Sequence, residues 1–591
     1  MRRKKQGAGK PVLTGYDYST PEAREETVSA LFARAVSARS GVEADWRRYN
    51  DYYNFAHDIT EELRQSAEED GILCTAVVPD PWIIVESQVD PNVPEPVFRG
   101  RDNDLDSSKA KEREYAVRYI CENNRLTDMN TRNERRLLKY GDAFWKAYWD
   151  TEMRCGAKLG DIRIRDVPMD SIYPDPSVRD GSLQDGQYLC YVYRIHVVRF
   201  LQLFGEDLER IGAEIEELRS APGRGGEGIF DTDASLYESD DTVQVLEFWF
   251  RQPTDTEDEG CFVPAGTVGC SIQAGGRELR YIPDYWKRTN RQCSLFPFVH
   301  YWRVQDENSF WNKSELFPVM GMVDAADRKL AMGMLGDALL SNDIILAEEG
   351  ALSDGQEFTN EPGAVIRVKP NRINAVRRLG GVQSMANAAV GLEWYKEEIE
   401  RSSRNYETSR GKETQRTDTA SGLAMLRSDA ESQADIKKAD RNRGFERLYE
   451  LLDALALEFY DEDRMIYLGA DEKGEREAVC FPFNANNYAE LVPPVTDGSG
   501  RVLSEAWQYF PKVDVTVTAG DSVLQGKQAT LETLQQLAAS QITAENWKLF
   551  AAQLELLNLP GKQEIIEDWR SRFSGELLPE PVTEQEEYYD L

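Results

Sequence analysis

Residues 318–410 carry the most telling pattern of apolar and polar positions in the chain. A helical run leads out (PVMGMVDAADRKLAMGMLGDALLSN), and a short basic segment with β-like alternation follows (PGAVIRVKPNRINAVRRLGG). A second helical run, SMANAAVGLEWYKEEIERSSRNYETSR, then leads back into a polar loop, GKETQRTDTASG. On the outgoing run Val319, Val323, Ala326, Leu330, Met334 and Ala338 recur at helical spacing. Gly321, Gly333 and Gly336 allow close helix approach but weaken an isolated helix by roughly 1 kcal/mol each relative to Ala. Such a leg needs neighbours, and we expect Val319, Val323, Ala326, Leu330, Gly333 and Met334 to pack it. At 1.5 Å per residue the run spans roughly 38 Å. A small knob on two long legs buries little of itself. The pattern therefore predicts a protomer that packs its legs against copies of itself and offers the knob to a partner.

The flanking patterns are more ordinary. From Thr20 to about Gln65 the spacing is helical, with Pro21 in the first turn and an aromatic cluster of Trp46, Tyr49, Tyr52, Tyr53 and Phe55. Residues 79–105 are rich in Pro and Asp and read as strand and loop. Residues 107–140 read as one long helix capped by Ser107 or Ser108 and ended by Gly141. The period then changes to two. DAFWKAYWD, DIRIRDV, YLCYVYRIHVV, TVQVLEFWF, ELRYI and FPFVHYWRV predict a mixed sheet or small barrel over 142–305. A charged helix near 199–219 and a glycine-rich loop interrupt it. A third long helix is expected over 419–461, a strand at 511–519 and a mostly helical tail over 526–573. The last segment, from Glu576, holds six acids and no base, and reads as a solvated end. The fold class is α+β.

Composition changes this picture in two ways. With 591 residues the chain is too long for one hydrophobic core, so several structural units are expected. Its net charge is −34, whereas a protein that simply grips nucleic acid is usually basic. Contact with nucleic acid would have to be confined to local basic segments on a repelling body. The eight cysteines are scattered without a C-x-x-C, which points to idle thiols in a reducing compartment. The basic start MRRKKQGAGKPVL lacks the apolar stretch of a signal peptide, and no apolar run is long enough to cross a membrane.

The usual catalytic signatures fail when set against their structural requirements. GRGGEG at 223–228 matches a dinucleotide fingerprint in letters, but a charged helix precedes it where a strand is required. The Gly-Lys pairs at Gly9, Gly411, Gly526 and Gly561 lack the glycine five residues upstream and the following Ser or Thr of a P-loop. Asp102, Asp104 and Asp106 imitate a calcium loop, but Ser107 and Arg113 stand where it needs Gly and Glu. His57, His196 and His300 lie near no cysteine pair that would make a zinc site, and no G-x-S-x-G is present. We expect no enzyme, no cofactor and no metal. Two basic patches remain. Arg367, Lys369, Arg372, Arg377 and Arg378 stand in the knob without an acid, marking a surface for an acidic partner or for nucleic acid. Arg401, Arg404, Arg410, Lys412 and Arg416 follow on the returning leg and its loop, where they would touch a phosphate backbone without reading sequence.

The order of these parts resembles the portal proteins of tailed bacteriophages over roughly residues 20–573. The phrases WRRYNDYYNF, KYGDAFWKAYWD, DIRIRDVPMDSIYPDP and the Thr-Ala-Ser-Gly at 419–422 that opens a long helix share in the likeness. The resemblance implies a wing over 20–313 and 420–525, a stem of two helices over 314–342 and 385–409, and a small α/β clip over 343–384. It implies a tunnel loop at 410–419 and a short helical crown at 526–575, flanked by a disordered basic start (1–19) and an acidic tail (576–591). It further implies a twelvefold homo-oligomeric ring at one capsid vertex of the virion, assembled in the host cytoplasm. Double-stranded DNA would pass through the ring without sequence specificity. The terminase large subunit, the head–tail adaptor and the major capsid protein would be its partners, with no membrane involved. The tunnel loop would carry Arg401, Arg404, Arg410, Lys412 and Arg416, and the clip would dock partners through Arg367, Lys369, Arg372, Arg377 and Arg378. About twelve copies would carry roughly −400, an acidic bore that keeps DNA mobile. The residues themselves leave two alternatives open: a virion scaffold protein without a channel, and a metal-dependent nucleic-acid enzyme built on carboxylates.

Overall fold

A computed structural model describes residues 16–57, 76–100, 104–155, 158–179, 182–220, 241–258, 261–289, 293–341, 344–348, 369–370, 376–379, 384–403, 420–469, 479–492 and, within 495–517, the segments 495–496, 502–504 and 507–517. Helix α1 (Pro21–Tyr53) opens the chain, with the Thr20 side chain accepting from the Ala23 amide at 3.2 Å and Pro21 in the first turn. Helix α2 (Asp80–Glu86) and strand β1 (Pro96–Gly100) follow. Then come helices α3 (Asp104–Asn123) and α4 (Leu126–Tyr140), and strands β2 (Asp142–Cys155), β3 (Lys158–Val167), β4 (Ile172–Pro174) and β5 (Tyr188–His196). Helices α5 (Val197–Ile211) and α6 (Ile215–Ser220) lead to β6 (Thr242–Arg251), β7 (Thr256–Asp258), β8 (Cys261–Val263), β9 (Val268–Ala274), β10 (Arg277–Ile282) and β11 (Phe298–Trp302). Helix α7 (Met320–Ser341), strands β12 (Ile344–Ala347) and β13 (Val376–Leu379), and helices α8 (Ser384–Ser403) and α9 (Ala420–Phe459) form the second half. Short strands close the described chain: β14 (Arg464–Leu468), β15 (Val479–Phe483), β16 (Glu490–Val492), β17 (Val495–Thr496), β18 (Val502–Ser504), β19 (Trp507–Tyr509) and β20 (Val513–Val517).

The α+β class holds, but every strand pair among the described residues is antiparallel, so the expected mixed sheet is corrected. The strands form a five-stranded sheet, β10-β9-β6-β5-β4, and a three-stranded one, β11-β2-β3. Alternation along β6 explains how the larger sheet is covered. Phe248 and Phe250 face α1, where Val28, Leu31, Phe32 and Ala35 pack on them together with Tyr188 and Val192. Val243 and Val245 point the other way, under Phe200 and Phe204 of α5 and Leu218 of α6. Farther along that second face, Trp249 joins the main core, which also holds Trp145, Phe298, Tyr301 and the Phe445–Leu455 stretch of α9. Glu247, buried beside Trp249, takes a 2.6 Å ion pair from Lys146 of β2 and so ties the two sheets together.

Three further expectations need correction. The helix read over 107–140 is two helices, because Arg125 adopts φ 51 and turns the chain between them. Asn124 holds that turn, its amide donating to Ile120 and Ile162 carbonyls and accepting from the Ile164 amide at 2.9 Å. Helix α3 begins at Asp104, so Ser107 and Ser108 lie within it rather than before it as caps. The stretch read as strand and loop after 79 contains α2, started by Pro81 and held by buried Ile84 and Val85. Helix α1 stops at Tyr53, short of Gln65, as Phe55 takes φ 62. Gly141 ends α4 as expected, at φ 90, and a Cβ there would lie 2.5 Å from the Asn312 carbonyl oxygen, so only glycine lets the two backbones meet.

Candidate functional site

The helix–knob–helix unit is present in the fold as α7, the β12–β13 pair and α8. Strands β12 and β13 run antiparallel with Ile345 opposite Arg378 and Leu346 opposite Arg377. The two legs lie against each other. A Cβ built on Gly391 of α8 would come 3.1 Å from Cε of Lys329 on α7, and Ser402 Oγ lies 3.8 Å from Met322 Sδ. Close approach at Gly391 is thus filled by the aliphatic stem of a lysine, as expected of a charged side chain laid along an apolar surface.

The base of the unit is locked to the body by two carboxylates, one half-buried and one buried. Asp324 of α7 accepts from the Tyr52 hydroxyl at 2.5 Å and from the Arg48 guanidinium, both on α1. Burial, reinforced by that acceptor, pushes the Tyr52 phenol well above its ordinary range. One turn on, fully buried Asp327 pairs with buried His57 and accepts from the Val78 amide at 2.7 Å. His57 in turn stacks on Tyr52 at 4.2 Å. Beside this junction, Lys139 of α4 sits over the Tyr53 ring at 4.5 Å, and burial, helped by nearby Arg136, pulls its ammonium down to about 8.

A second lock joins the start of α7 to α9. Ser314 Oγ donates to the Leu138 carbonyl at 3.0 Å, and the Glu315 amide donates to the same oxygen at 3.1 Å. Glu315 takes Lys437 of α9 at 2.6 Å and faces Arg303 at 3.7 Å. Arg303 pairs with Glu134 of α4 at 3.0 Å, and Glu134 with Arg441 of α9 at 3.3 Å. Arg441 and Lys438 both reach Asp90, at 3.4 and 3.5 Å. Glu134 is 0% exposed, with arginines on both sides. The arrangement is a chain of charges, four basic and three acidic, that runs from α9 through α4 to the segment leading into α7.

The structure places the sequence-predicted residues unevenly. Val319 and Val323 are fully buried in the main core and Ala326 is buried beside them. Gly333 is buried, and Leu330 and Met334 are half-buried. Lys369 is exposed, and Arg377 and Arg378 lie on β13. Arg401 stands 76% exposed near the end of α8, 3.7 Å from Glu398. Arg404, Arg410, Lys412, Arg416, Arg367 and Arg372 lie outside the described residues, as do the loop at 411–418, the segment 526–591 and the GRGGEG motif. Sequence reasoning missed the anchors Asp324 and Asp327, although two acids three residues apart on a largely apolar helix were a visible signal. It also missed Glu134, whose partners come from positions far apart in the chain.

Among the described residues no group of His, Cys, Asp or Glu could hold a metal ion, and no helix is long and apolar enough to cross a membrane. What the geometry supplies is a two-helix projection fixed at its root by ion pairs and ending in a two-stranded pair. A search of curated proteins found no match. A family model described as phage P22-like portal protein matches residues 82–294 and 331–589, which takes in much of the body and, from the middle of α7 onward, the helix–knob–helix unit. That match takes in most of the sequence, and the chain belongs to the phage P22-like portal protein family.

Proposed function

We propose that this phage portal protein forms a closed ring of about twelve copies through which double-stranded DNA enters the capsid during packaging and leaves at ejection. Portal proteins are structural components of the phage capsid, oligomeric rings that work with the capsid and terminase, rather than enzymes. The observation that carries the finer reading is the α7–β12/β13–α8 projection, rooted in the body by Asp324, Asp327 and Glu315. In this reading the body is the wing, α7 and α8 are the stem, and the strand pair belongs to the clip. Residues 410–419 form the tunnel loop and 526–575 the crown. The net charge of −34 per copy supports it, since an acidic bore repels phosphate and lets DNA slide. The terminase large subunit, and after it the head–tail adaptor, dock on the basic clip around Arg367, Lys369, Arg372, Arg377 and Arg378. Assembly takes place in the host cytoplasm.

Negative-stain images of the purified full-length protein test this. Rings with a central hole are expected, whereas a strictly monomeric or filamentous particle overturns the reading. Replacing Arg367, Lys369 and Arg372 together with Glu is expected to leave rings intact and to abolish terminase or adaptor capture in a pull-down. Deleting 411–418 is expected to spare assembly and impair packaging or DNA retention, and a normal packaged length removes any role for that loop.

A further inference from the structure

The β14–β15 pair carries apolar side chains on both of its faces, and the protein's own core uses only one. Inward, Ile466, Leu468 and Phe483 are buried in the main core, and Phe481 packs against it with the Tyr115 ring of α3 6.2 Å away. Outward, the register sets Met465 opposite Pro482 and Tyr467 opposite Cys480. All four are exposed, Met465 at 59% and Tyr467 at 62%, and none carries a charge. Opposite residues of an antiparallel pair lie about 5 Å apart, so the four form one continuous surface and not scattered single exposures. A strand pair with one solvated face normally alternates apolar and polar positions, whereas an unbroken apolar strand marks burial on both faces. The pair β1–β20 follows the first rule. There Phe98, Val515 and Val517 turn to the core, while Arg99 stands opposite Asp514 and Thr516 opposite Val97. In contrast, Met465–Leu468 and Val479–Phe483 hold no charged residue at all. Their composition is that of a sheet covered on both sides, and among the described residues one side stays open.

The margin of this face says what kind of cover fits it. Asp461, Glu462 and Asp463 stand exposed directly before β14, against one lysine, Lys158, which pairs with Glu462 at 2.8 Å. Asp463 accepts from the Asn484 amide at 2.8 Å, which holds the acidic turn beside the end of β15. The next base, Arg464, is turned inward, over the Trp149 ring at 4.9 Å and the Tyr460 ring at 4.7 Å. The margin is therefore negative, on a chain whose net charge is already −34. Such a field repels phosphate-bearing ligands and also a second copy of the same patch, and it attracts bases.

We propose that the outer face of the β14–β15 pair docks another protein through a segment that presents aliphatic or aromatic side chains flanked by lysine or arginine. The apolar side chains cover Met465, Tyr467, Cys480 and Pro482, and the bases meet Asp461, Glu462 and Asp463 at the margin. This chemistry is opposite to that of the basic knob, so the two surfaces select different partners.

Cys480 is a reporter built into the face. In the full-length protein its modification by a maleimide, read at that residue by mass spectrometry, measures how open the face is, with Cys480→Ser as the blank. The probes are three synthetic peptides of one length: leucine and tryptophan flanked by lysine, the same with glutamate for lysine, and the same with serine for leucine and tryptophan. The first should slow modification of Cys480 roughly tenfold or more, and the other two should leave it unchanged. Tyr467→Ser and Met465→Ser, both at exposed positions, should each weaken binding of the first peptide roughly tenfold by fluorescence anisotropy, at the parent's melting temperature. Asp461→Asn, Glu462→Gln and Asp463→Asn together should weaken it and flatten its dependence on salt. Equal protection by the glutamate or serine peptide overturns the proposal, and so does the absence of binding. Binding that survives both Tyr467→Ser and Met465→Ser also overturns it, since attraction to the charge of the whole chain then explains the result. A Cys480 that is unreactive in the assembled protein without any peptide overturns it too, because a neighbouring copy then covers the face.

Discussion

Removing Glu134 should unlock the junction between α4, α9 and the segment leading into α7. In the native protein its carboxylate is wholly buried between Arg303 and Arg441, themselves 7% and 4% exposed. Glu134→Ala leaves two guanidinium groups facing each other with no intervening charge. Breaking a buried pair of this kind costs about 3–5 kcal/mol, because the remaining charge stays desolvated and unpaired. Here Arg303 keeps Glu315 at 3.7 Å and Arg441 keeps Asp90 at 3.4 Å, so the lower part of that range, about 3 kcal/mol, is expected. Global unfolding of a chain this long is a poor reporter, since it is not two-state. Amide hydrogen exchange over 130–140 and 437–450 is the suitable assay, and about 3 kcal/mol of local destabilisation should speed exchange there by roughly 100-fold or more. Replacing Glu134, Arg303 and Arg441 together with apolar residues of similar size should recover most of the loss. Exchange unchanged in Glu134→Ala would refute the view that this charge chain holds the junction. Exchange just as fast in the triple replacement would show that the charges matter for something other than their mutual pairing.

Gly444→Ala should destabilise the fold although alanine is the better helix former by roughly 1 kcal/mol, because its Cβ would lie 2.4 Å from Cδ1 of buried Tyr301. A melting temperature below that of the parent checks this. Asp327→Ala should leave His57 and the Val78 amide without their buried acceptor, costing about 1–3 kcal/mol and speeding exchange around Val78 and at the start of α7. Lys139→Met should stabilise the protein at neutral pH. The lysine titrates at about 8 in the fold and near 10.5 unfolded, so the unfolded chain binds more protons between those values. Stability contributed at this position therefore rises with pH through that window, and the advantage of methionine should shrink from pH 8 upward and vanish near pH 11. A gain that does not change with pH would show that packing, not charge burial, is responsible.

The sequence made the elements legible wherever one face of a helix or strand is buried and the period is clean. Strands β2, β3, β5 and β6 and helices α7, α8 and α9 lie where alternation or helical spacing put them. It was misleading where a single residue changes the backbone course. Asn124 is a modest helix residue, and only its bonds to β3 make the chain turn at Arg125. The site was legible as an outline, a projection with glycine-bearing legs, and not in its fastenings. Glu134, Arg303 and Arg441 are charged residues scattered over some three hundred positions, and no local pattern distinguishes them from solvated surface charges. Their role depends on burial, which is set by tertiary packing.

Helix α1 has a mechanical consequence. Near its start Arg24 grips Glu278 of β10 with two hydrogen bonds, at 2.8 and 2.7 Å, and near its end Arg48 and Tyr52 grip Asp324 of α7. The two grips are about 36 Å apart along a continuous helix. A tilt of one degree at one end displaces the other by about 0.6 Å, already comparable to the full spread of a sound hydrogen-bond length. Helix α7 cannot lean without carrying the five-stranded sheet with it or breaking one of these grips. Helix α1 is therefore a tie-rod, and strain applied to α7 is felt at β10.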